Sequence, residues 1–416
     1  MKIISVQTIL CSAPQRDLYM TGRTMRSAAF IIIETDSGHR GIGETYAGYF
    51  VPEMVPEVVA FYEPILTGAD PLRVDVLQRR MFIAGKFWGR VGLGSIVMSG
   101  IEMALLDLKG KILALPVYEL LGGRCHETLP CYATGGPSNW PQEALQAKVA
   151  QYLSLGHRRV KLGAGRYQKG CDVILPGRTP QEAADIEIEK AEFLVRNFGS
   201  DFRLLLDGHM DNLGEKDHIW DEATAAAVLQ ALEPFPVDFF EEPLPYTDRR
   251  AYRSLRRRTS ITVAGGECLS SLEEWRDWLM DEPFGLPQLD ASHMGGLGNF
   301  MKVAHWCEMA GLPIATHAWS ATVGVAANLH AAFACRNTAM VEMAAYHPSE
   351  PKRNSHIEAP LLTELWEVPP SLSDGNLCLA DTPGLGIRLP DDLAERYPFI
   401  RGTGEFNPVK GKRLLN

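Results

Sequence analysis

The chain has 416 residues, of which 46% are hydrophobic and 22% charged, with a formal net charge of −10. That length supports a large core and more than one domain. The acidic balance argues against nucleic acid as a partner, yet leaves room for an anionic small molecule met by a bound cation. The eight cysteines include no C-x-x-C pair, so reduced thiols in a cytoplasmic protein are expected rather than a zinc knuckle or a disulfide framework. The N-terminus lacks the apolar region of a signal peptide, and the longest apolar runs are too short for a membrane span.

Residues 1 to about 50 read as antiparallel strands. Ile3, Val6 and Ile9 mark the first, and a polar loop is expected from Ser12 to Arg26. The apolar run 30–35 then turns at Asp36-Ser37-Gly38 and returns through Gly41-Ile42-Gly43-Glu44. A helical region follows. Its clearest part spans 98–113, where Ile101, Ala104, Leu105, Leu108 and Ile112 recur at helical spacing. A short helix is predicted over 115–123, with Pro116 near its start and Gly122-Gly123 at its end.

From about residue 126 short apolar strands alternate with helical stretches. Strands are predicted at 129–133 and 158–162, with a helix at 142–155 between them. The next helix carries Ile188, Ala191, Val195 and Phe198 on one face and stops at Gly199. Later apolar runs end at Asp207, Glu241, Glu267, Asp290, His317 and Glu342, and Lys161 ends the second. About eight such β/α units predict a parallel barrel. A doubly wound open sheet would gather its functional residues at one switch point, whereas here nearly every strand end bears an acid, a base or a lysine. Asp207, Glu241 and Glu267 would converge on one face as hard oxygen ligands of the kind that hold Mg²⁺. Alone, each reads as a helix cap or a solvated acid. Because side chains alternate along a strand, only one of Glu241 and Glu242 can point into the site. The stretches 163–180 and 211–221 look like insertions on the same face.

In their order and placement these residues resemble the enolase superfamily, specifically its mandelate racemase branch. The resemblance rests on Gly100-Ile101-Glu102-Met103-Ala104-Leu105-Leu106-Asp107-Leu108-Lys109-Gly110-Lys111, on the Leu-Pro-Val-Tyr-Glu-Leu-Leu-Gly-Gly after it, and on Asp207, Glu241-Glu242-Pro243, Gly266-Glu267, Asp290, His317 and Glu342. It implies a modified TIM-like β/α barrel over 126–365, an α+β capping domain over 1–125, and a C-terminal segment, 366–416, that returns to the cap. It also implies one Mg²⁺ on Asp207, Glu241 and Glu267, the family pattern favouring the first of the two adjacent glutamates.

Members of the family take a proton from the carbon beside a carboxylate, which requires charge stabilisation on the carboxylate oxygens. The resemblance gives that task to the metal and Lys161, and makes Glu342 a protonated hydrogen-bond donor to the same carboxylate. His317, oriented by Asp290, becomes the base. Many racemases of the branch carry Lys-x-Lys on the second strand, where this chain has Lys161-Leu162-Gly163. Instead Asp207-Gly208-His209 is similar to the Asp-x-His of the acid-sugar dehydratases, whose histidine protonates the departing hydroxyl. The expectation is therefore a Mg²⁺-dependent, homo-oligomeric dehydratase that turns an aldonate or aldarate into a 2-keto-3-deoxy acid. A racemase or epimerase using His209 or Tyr167 as second base, and a catalytically silent ligand-binding relative, are the alternatives. By analogy, Arg16, Tyr19, Arg23, Tyr46, Trp88, Tyr167 and Trp319 are the expected specificity contacts.

Overall fold

The computed structural model describes residues 1–18, 24–135, 142–167, 174–199, 202–210 and 219–402. Tyr19, Arg23, residues 168–173 of the first insertion and 211–218 of the second therefore lie outside the described residues. Strands β1 (Ile3–Pro14), β2 (Met25–Thr35) and β3 (Arg40–Thr45) form an antiparallel sheet in that order. The two long strands extend into what alternation alone marks as a polar loop. Ser12 pairs with Ser27 and Ala13 with Arg26 in the ladder, and the two serine hydroxyls bond each other at 3.0 Å. Partnered in this way, polar residues continue a buried strand without facing water.

Helices α1 (Val55–Leu66), α2 (Val74–Gly85) and α3 (Leu93–Leu113) complete the cap. α3 begins five residues before the expected start of 98, at the turn after Gly92, and most of its circumference is buried. It approaches β3 so closely that a Cβ on Gly43 would strike the backbone of Gly100. Only glycine permits that contact.

Eight parallel strands follow. They are β4 (Leu129–Thr134), β5 (Arg159–Gly163), β6 (Arg203–Asp207), β7 (Val237–Glu241), β8 (Thr262–Gly265), β9 (Leu286–Leu289), β10 (Ile314–Thr316) and β11 (Thr338–Ala344). Each pairs with the next, and β11 pairs back onto β4, closing the barrel. Its floor is a cluster of Tyr132, Leu205, Phe239, Ala264, Leu286 and Ala315, with Met340 against it. The two-residue period of a strand carries the chain from Leu205 to Asp207, Phe239 to Glu241, Ala315 to His317 and Met340 to Glu342. One apolar layer thus positions one ionisable layer above it.

Helices α4 (Gln142–Ser154), α5 (Pro180–Phe198), α6 (Glu222–Leu232), α7 (Arg249–Arg256), α8 (Leu272–Met280), α9 (Leu297–Met309) and α10 (Thr322–Phe333) surround the strands. Four begin with an ordinary local cap: Thr179, Asp221, Asp248 and Ser271 each accept from an N–H in the first turn. α9 and α10 follow Gly296 and Ala321, which bring no capping side chain. The capping domain supplies the missing acceptors. Glu102 of α3 accepts from Gly298 at 3.1 Å, and Glu44 of β3 accepts from Ala321 and Gly324 at 2.7 and 2.8 Å. A carboxylate at a helix N-terminus also meets the positive end of the helix dipole.

The C-terminal segment holds the same parts together. Its strand Asn376–Cys378 pairs antiparallel with the start of β4. Buried Asp107 of α3 accepts from Leu385 and Ile42, each at 2.8 Å, and from Lys111 at 2.6 Å. No described helix is long and apolar enough to cross a membrane.

Burial pushes the Glu102 carboxyl from 4.5 up to about 7. The folded protein therefore binds its proton more tightly than the unfolded chain does. The resulting stability is present below pH 4.5 and is lost as pH rises through about 7. The unfolding free energy of wild type from urea titration should accordingly fall relative to that of Glu102→Gln by up to about 3 kcal/mol between pH ~4.5 and ~7.5. A pH-independent difference would exclude this carboxyl as the source.

Candidate active site

At the C-terminal ends of the strands, Lys161 of β5 stands among three carboxylates. Its Nζ lies 2.7 Å from Glu241 Oε2, 3.1 Å from Asp207 Oδ2 and 3.0 Å from Glu342 Oε1. Burial acts to lower the Lys161 pKa, but these acids outweigh it and hold the ammonium charged well above the usual lysine range. Glu342 also accepts from the Ala318 N–H at 2.6 Å. Burial would raise its carboxyl, yet Lys161, His317 and that N–H together hold it below the ordinary value. The Lys161 ammonium thus lies directly against the Glu342 carboxylate.

Of the adjacent pair, Glu241 ends β7 and Glu242 opens the turn after it. Glu241 continues the inward face of Phe239. Glu242 takes a left-handed backbone, φ 43°, and one of its oxygens accepts from the Tyr246 hydroxyl. The third acid follows two glycines at φ 156° and 120°. At Gly266 a Cβ would strike the Trp275 ring, so the turn that presents Glu267 requires glycine there.

Two imidazoles converge on Glu267. His317 Nε2 is 3.4 Å from Oε2, and His209 Nε2 is 3.9 Å from Oε1. His209 also places Nδ1 3.3 Å from Asp207 Oδ1 and has 45% of its side chain exposed. Its φ of 43° is a left-handed conformation uncommon for residues other than glycine and found at functional turns. His317 Nδ1 donates to Asp290 at 2.7 Å. The other Asp290 oxygen accepts from the Ser292 N–H, the Ser292 hydroxyl and Asn328 Nδ2, at 2.8, 2.6 and 2.8 Å. Those bonds outweigh burial and keep Asp290 below the usual carboxylate range. Burial works to lower His317, but Glu267 and then Asp290 raise it to about 10.

The capping domain reaches this region. The Tyr46 ring stands edge-on to His317 with centroids 5.7 Å apart, and the Trp319 indole donates to the Tyr49 hydroxyl at 3.2 Å. Buried Arg26 donates to the Trp319 carbonyl and lies over the Tyr49 ring, 4.5 Å from its centroid. Sequence reasoning missed Arg26, Asn328 and Ser292. The signals were an arginine leading into the apolar run of β2 and an asparagine within the apolar helix α10. Arg16 and Trp88 make their contacts elsewhere: Arg16 pairs with Glu358 at 3.2 Å, and Trp88 packs on Phe61 and Tyr62 of α1. Tyr167 lies in a two-residue strand paired with Ile174–Leu175, and its side chain lies outside the described residues.

Negative charge exceeds positive charge throughout this end of the barrel. Burial raises Asp207, Glu241, Glu242 and Glu267 above their ordinary values, and neighbouring carboxylates raise all four further. Oxygens of Glu241 and Glu242 are buried without a hydrogen-bond partner among the described residues. A group of hard oxygen donors with uncompensated charge suits a divalent cation such as Mg²⁺.

Residues 3–122 match the family model for the mandelate racemase/muconate lactonizing enzyme N-terminal domain, and residues 144–393 match the enolase C-terminal domain-like model. The D-galactonate dehydratase of Xanthomonas campestris pv. campestris is 30% identical over 375 residues, covering 88% of this chain and 90% of the relative. Two solved structures share the fold. A racemase from Streptomyces coelicolor A3(2) with bound magnesium has a TM-score of 0.78 and 24% identity, over 95% of this chain and 99% of its own. L-talarate dehydratase from Polaromonas sp. JS666, complexed with Mg and L-glucarate, has a TM-score of 0.74 and 24% identity, over 95% and 98%.

The charge account is testable without any substrate. In cation-free protein, NMR titration of the His317 ring should move down by about 1–3 pH units in Glu267→Gln, the loss expected when an adjacent opposite charge is removed. An unchanged titration would show that Glu267 does not set the state of the ring.

Proposed function

The chain belongs to the enolase superfamily, with both domains of the mandelate racemase/muconate lactonizing enzyme type, and from that premise we propose that it dehydrates an acid sugar, an aldonate or aldarate, to a 2-keto-3-deoxy acid. The observation that carries the reading is the convergence of His209 and His317 on the two oxygens of Glu267. Elimination of water beside a carboxylate needs a base at C2 and an acid at the 3-hydroxyl, both within reach of one bound substrate. The named activity of the Xanthomonas relative and the glucarate bound to the Polaromonas enzyme support the same substrate class.

Asp207, Glu241 and Glu267 would hold Mg²⁺, and the oxygen-only set, with Glu241 Oε1 buried and lacking a hydrogen-bond partner among the described residues, fits that ion. When bound, it supplies Lewis-acid stabilisation of negative charge on the substrate carboxylate. The Lys161 ammonium adds a positive charge at the same place, and Glu342 holds Lys161 there. Asp290 accepts from His317 Nδ1, which leaves Nε2 as the atom that takes the C2 proton. Glu267 is the neighbour that most raises the His317 pKa, so neutralising Glu267 returns the ring toward the range in which a base works near neutral pH. His209 gives its proton to the departing hydroxyl and, being half exposed, regains one from solvent. Gly163, at the end of β5, offers no second base.

A second reading, epimerisation at C2, uses the same two imidazoles, with His209 returning a proton to carbon. A panel of aldonates and aldarates separates the two. The dehydratase reading expects 2-keto-3-deoxy product in the presence of Mg²⁺ and its loss on exhaustive chelation. Interconversion of C2 epimers without loss of water would replace it with the epimerase reading.

The histidines should also separate by step. His317→Asn should abolish both turnover and exchange of the α-proton with solvent deuterium. His209→Asn, checked first for intact Mg²⁺ affinity, should lose about 10²–10⁴-fold in dehydration while still exchanging the α-proton. Wild-type dehydration by His209→Asn would remove His209 from the reaction.

A further inference from the structure

Directly after Glu267 the chain places an exposed thiol, Cys268. Glu242, Glu267 and Cys268 each offer a ligand atom, and these atoms lie within 4.8 Å of one another. Two side chains hold the group in place. The Tyr246 hydroxyl donates to Glu242 Oε1 and accepts from the Cys268 N–H at 3.4 Å, while His293 Nε2 donates to the Cys268 carbonyl at 3.3 Å. The other Glu242 oxygen, Oε2, is buried and has no hydrogen-bond partner among the described residues, in a residue only 1% exposed. Burial of an acceptor in that condition is costly unless a proton or a cation meets it.

The sulfur changes which cation this group selects. Asp207 and Glu241 offer only hard oxygens, whereas a thiolate prefers Zn²⁺ and related soft or borderline ions over Mg²⁺. We propose that Glu242, Glu267 and Cys268 form a second metal position, specific for a thiophilic divalent cation such as Zn²⁺, with three protein ligands and the remaining coordination open to solvent. As the metal–sulfur bond forms, the thiol proton passes to solvent. The position shares Glu267 with the proposed Mg²⁺ set, so Zn²⁺ would compete for that carboxylate and inhibit turnover. That consequence rests on the dehydratase reading, while the site itself does not.

Cd²⁺ is the direct probe, because its bond to a thiolate produces a charge-transfer band in the ultraviolet. Titrated into full-length protein stripped of divalent cations, it should give a band that saturates at a single equivalent. Cys268→Ser, a change at an exposed position, should lose that band with circular dichroism unchanged. Glu242→Gln should bind Cd²⁺ more weakly, and Tyr246→Phe, which removes only the group that orients two of the ligands, should weaken it about 10–100-fold. A wild-type protein without the band, a Cys268→Ser protein that keeps it, or a Glu242→Gln protein of wild-type affinity would each overturn the proposal. None of these readouts depends on turnover, so they stand apart from a failure of the dehydratase reading.

Discussion

The structure is organised around the burial of more negative charge than its own cations balance. Lys161 touches Glu241, Asp207 and Glu342 at once, and His317 is the next cation in reach. A buried, unpaired carboxylate either takes up a proton or requires a positive partner. The raised state of Asp207, Glu241 and Glu267 expresses that requirement, as does the lowering of the Glu342 carboxyl beside the lysine. Each acid of the layer is set by its neighbours, so a change at one is felt by the others as a change of charge.

A closed barrel makes such crowding possible. Eight strands side by side aim alternate residues at one axis, and the floor of Tyr132, Leu205, Phe239, Ala264, Leu286 and Ala315 excludes water from below. Two sharp turns then distribute the acids. Left-handed backbone at His209 and at Glu242 sends one side chain toward Asp207 and Glu267 and the other toward Tyr246. Such conformations cost free energy and persist where the surroundings over-determine them. Here the Gly208 N–H donates to Glu241, and the Glu242 N–H donates to Ala264.

The capping domain is part of the site. Glu44 and Glu102 complete the N-termini of the two helices that follow His317 and Asp290, and Arg26 holds the Trp319 carbonyl between them. Displacing the cap would leave buried N–H groups without acceptors at the very helices that follow His317 and Asp290. The barrel end that carries His317 and the domain above it are therefore energetically coupled through hydrogen bonds rather than through apolar packing alone.

Several of these features are local, and the sequence determined them by itself. The alternation that runs from Leu205 to Asp207 and from Phe239 to Glu241 is a two-residue pattern, and the Thr179, Asp221, Asp248 and Ser271 caps sit within three residues of the N–H groups they satisfy. Strand ends and helix starts follow from such short-range geometry. Only the tertiary structure decided the rest. Glu102 meets Gly298 across 196 residues, and Glu44 meets Ala321 across 277, so neither acid announces its partner locally. The shift of the Glu342 carboxyl depends on where the Lys161 ammonium comes to rest, and the orientation of His317 depends on Asn328 and Ser292 completing Asp290. A residue type and its spacing carry the chemistry a side chain is capable of; its charge state and its partners come from the field of groups that folding brings around it.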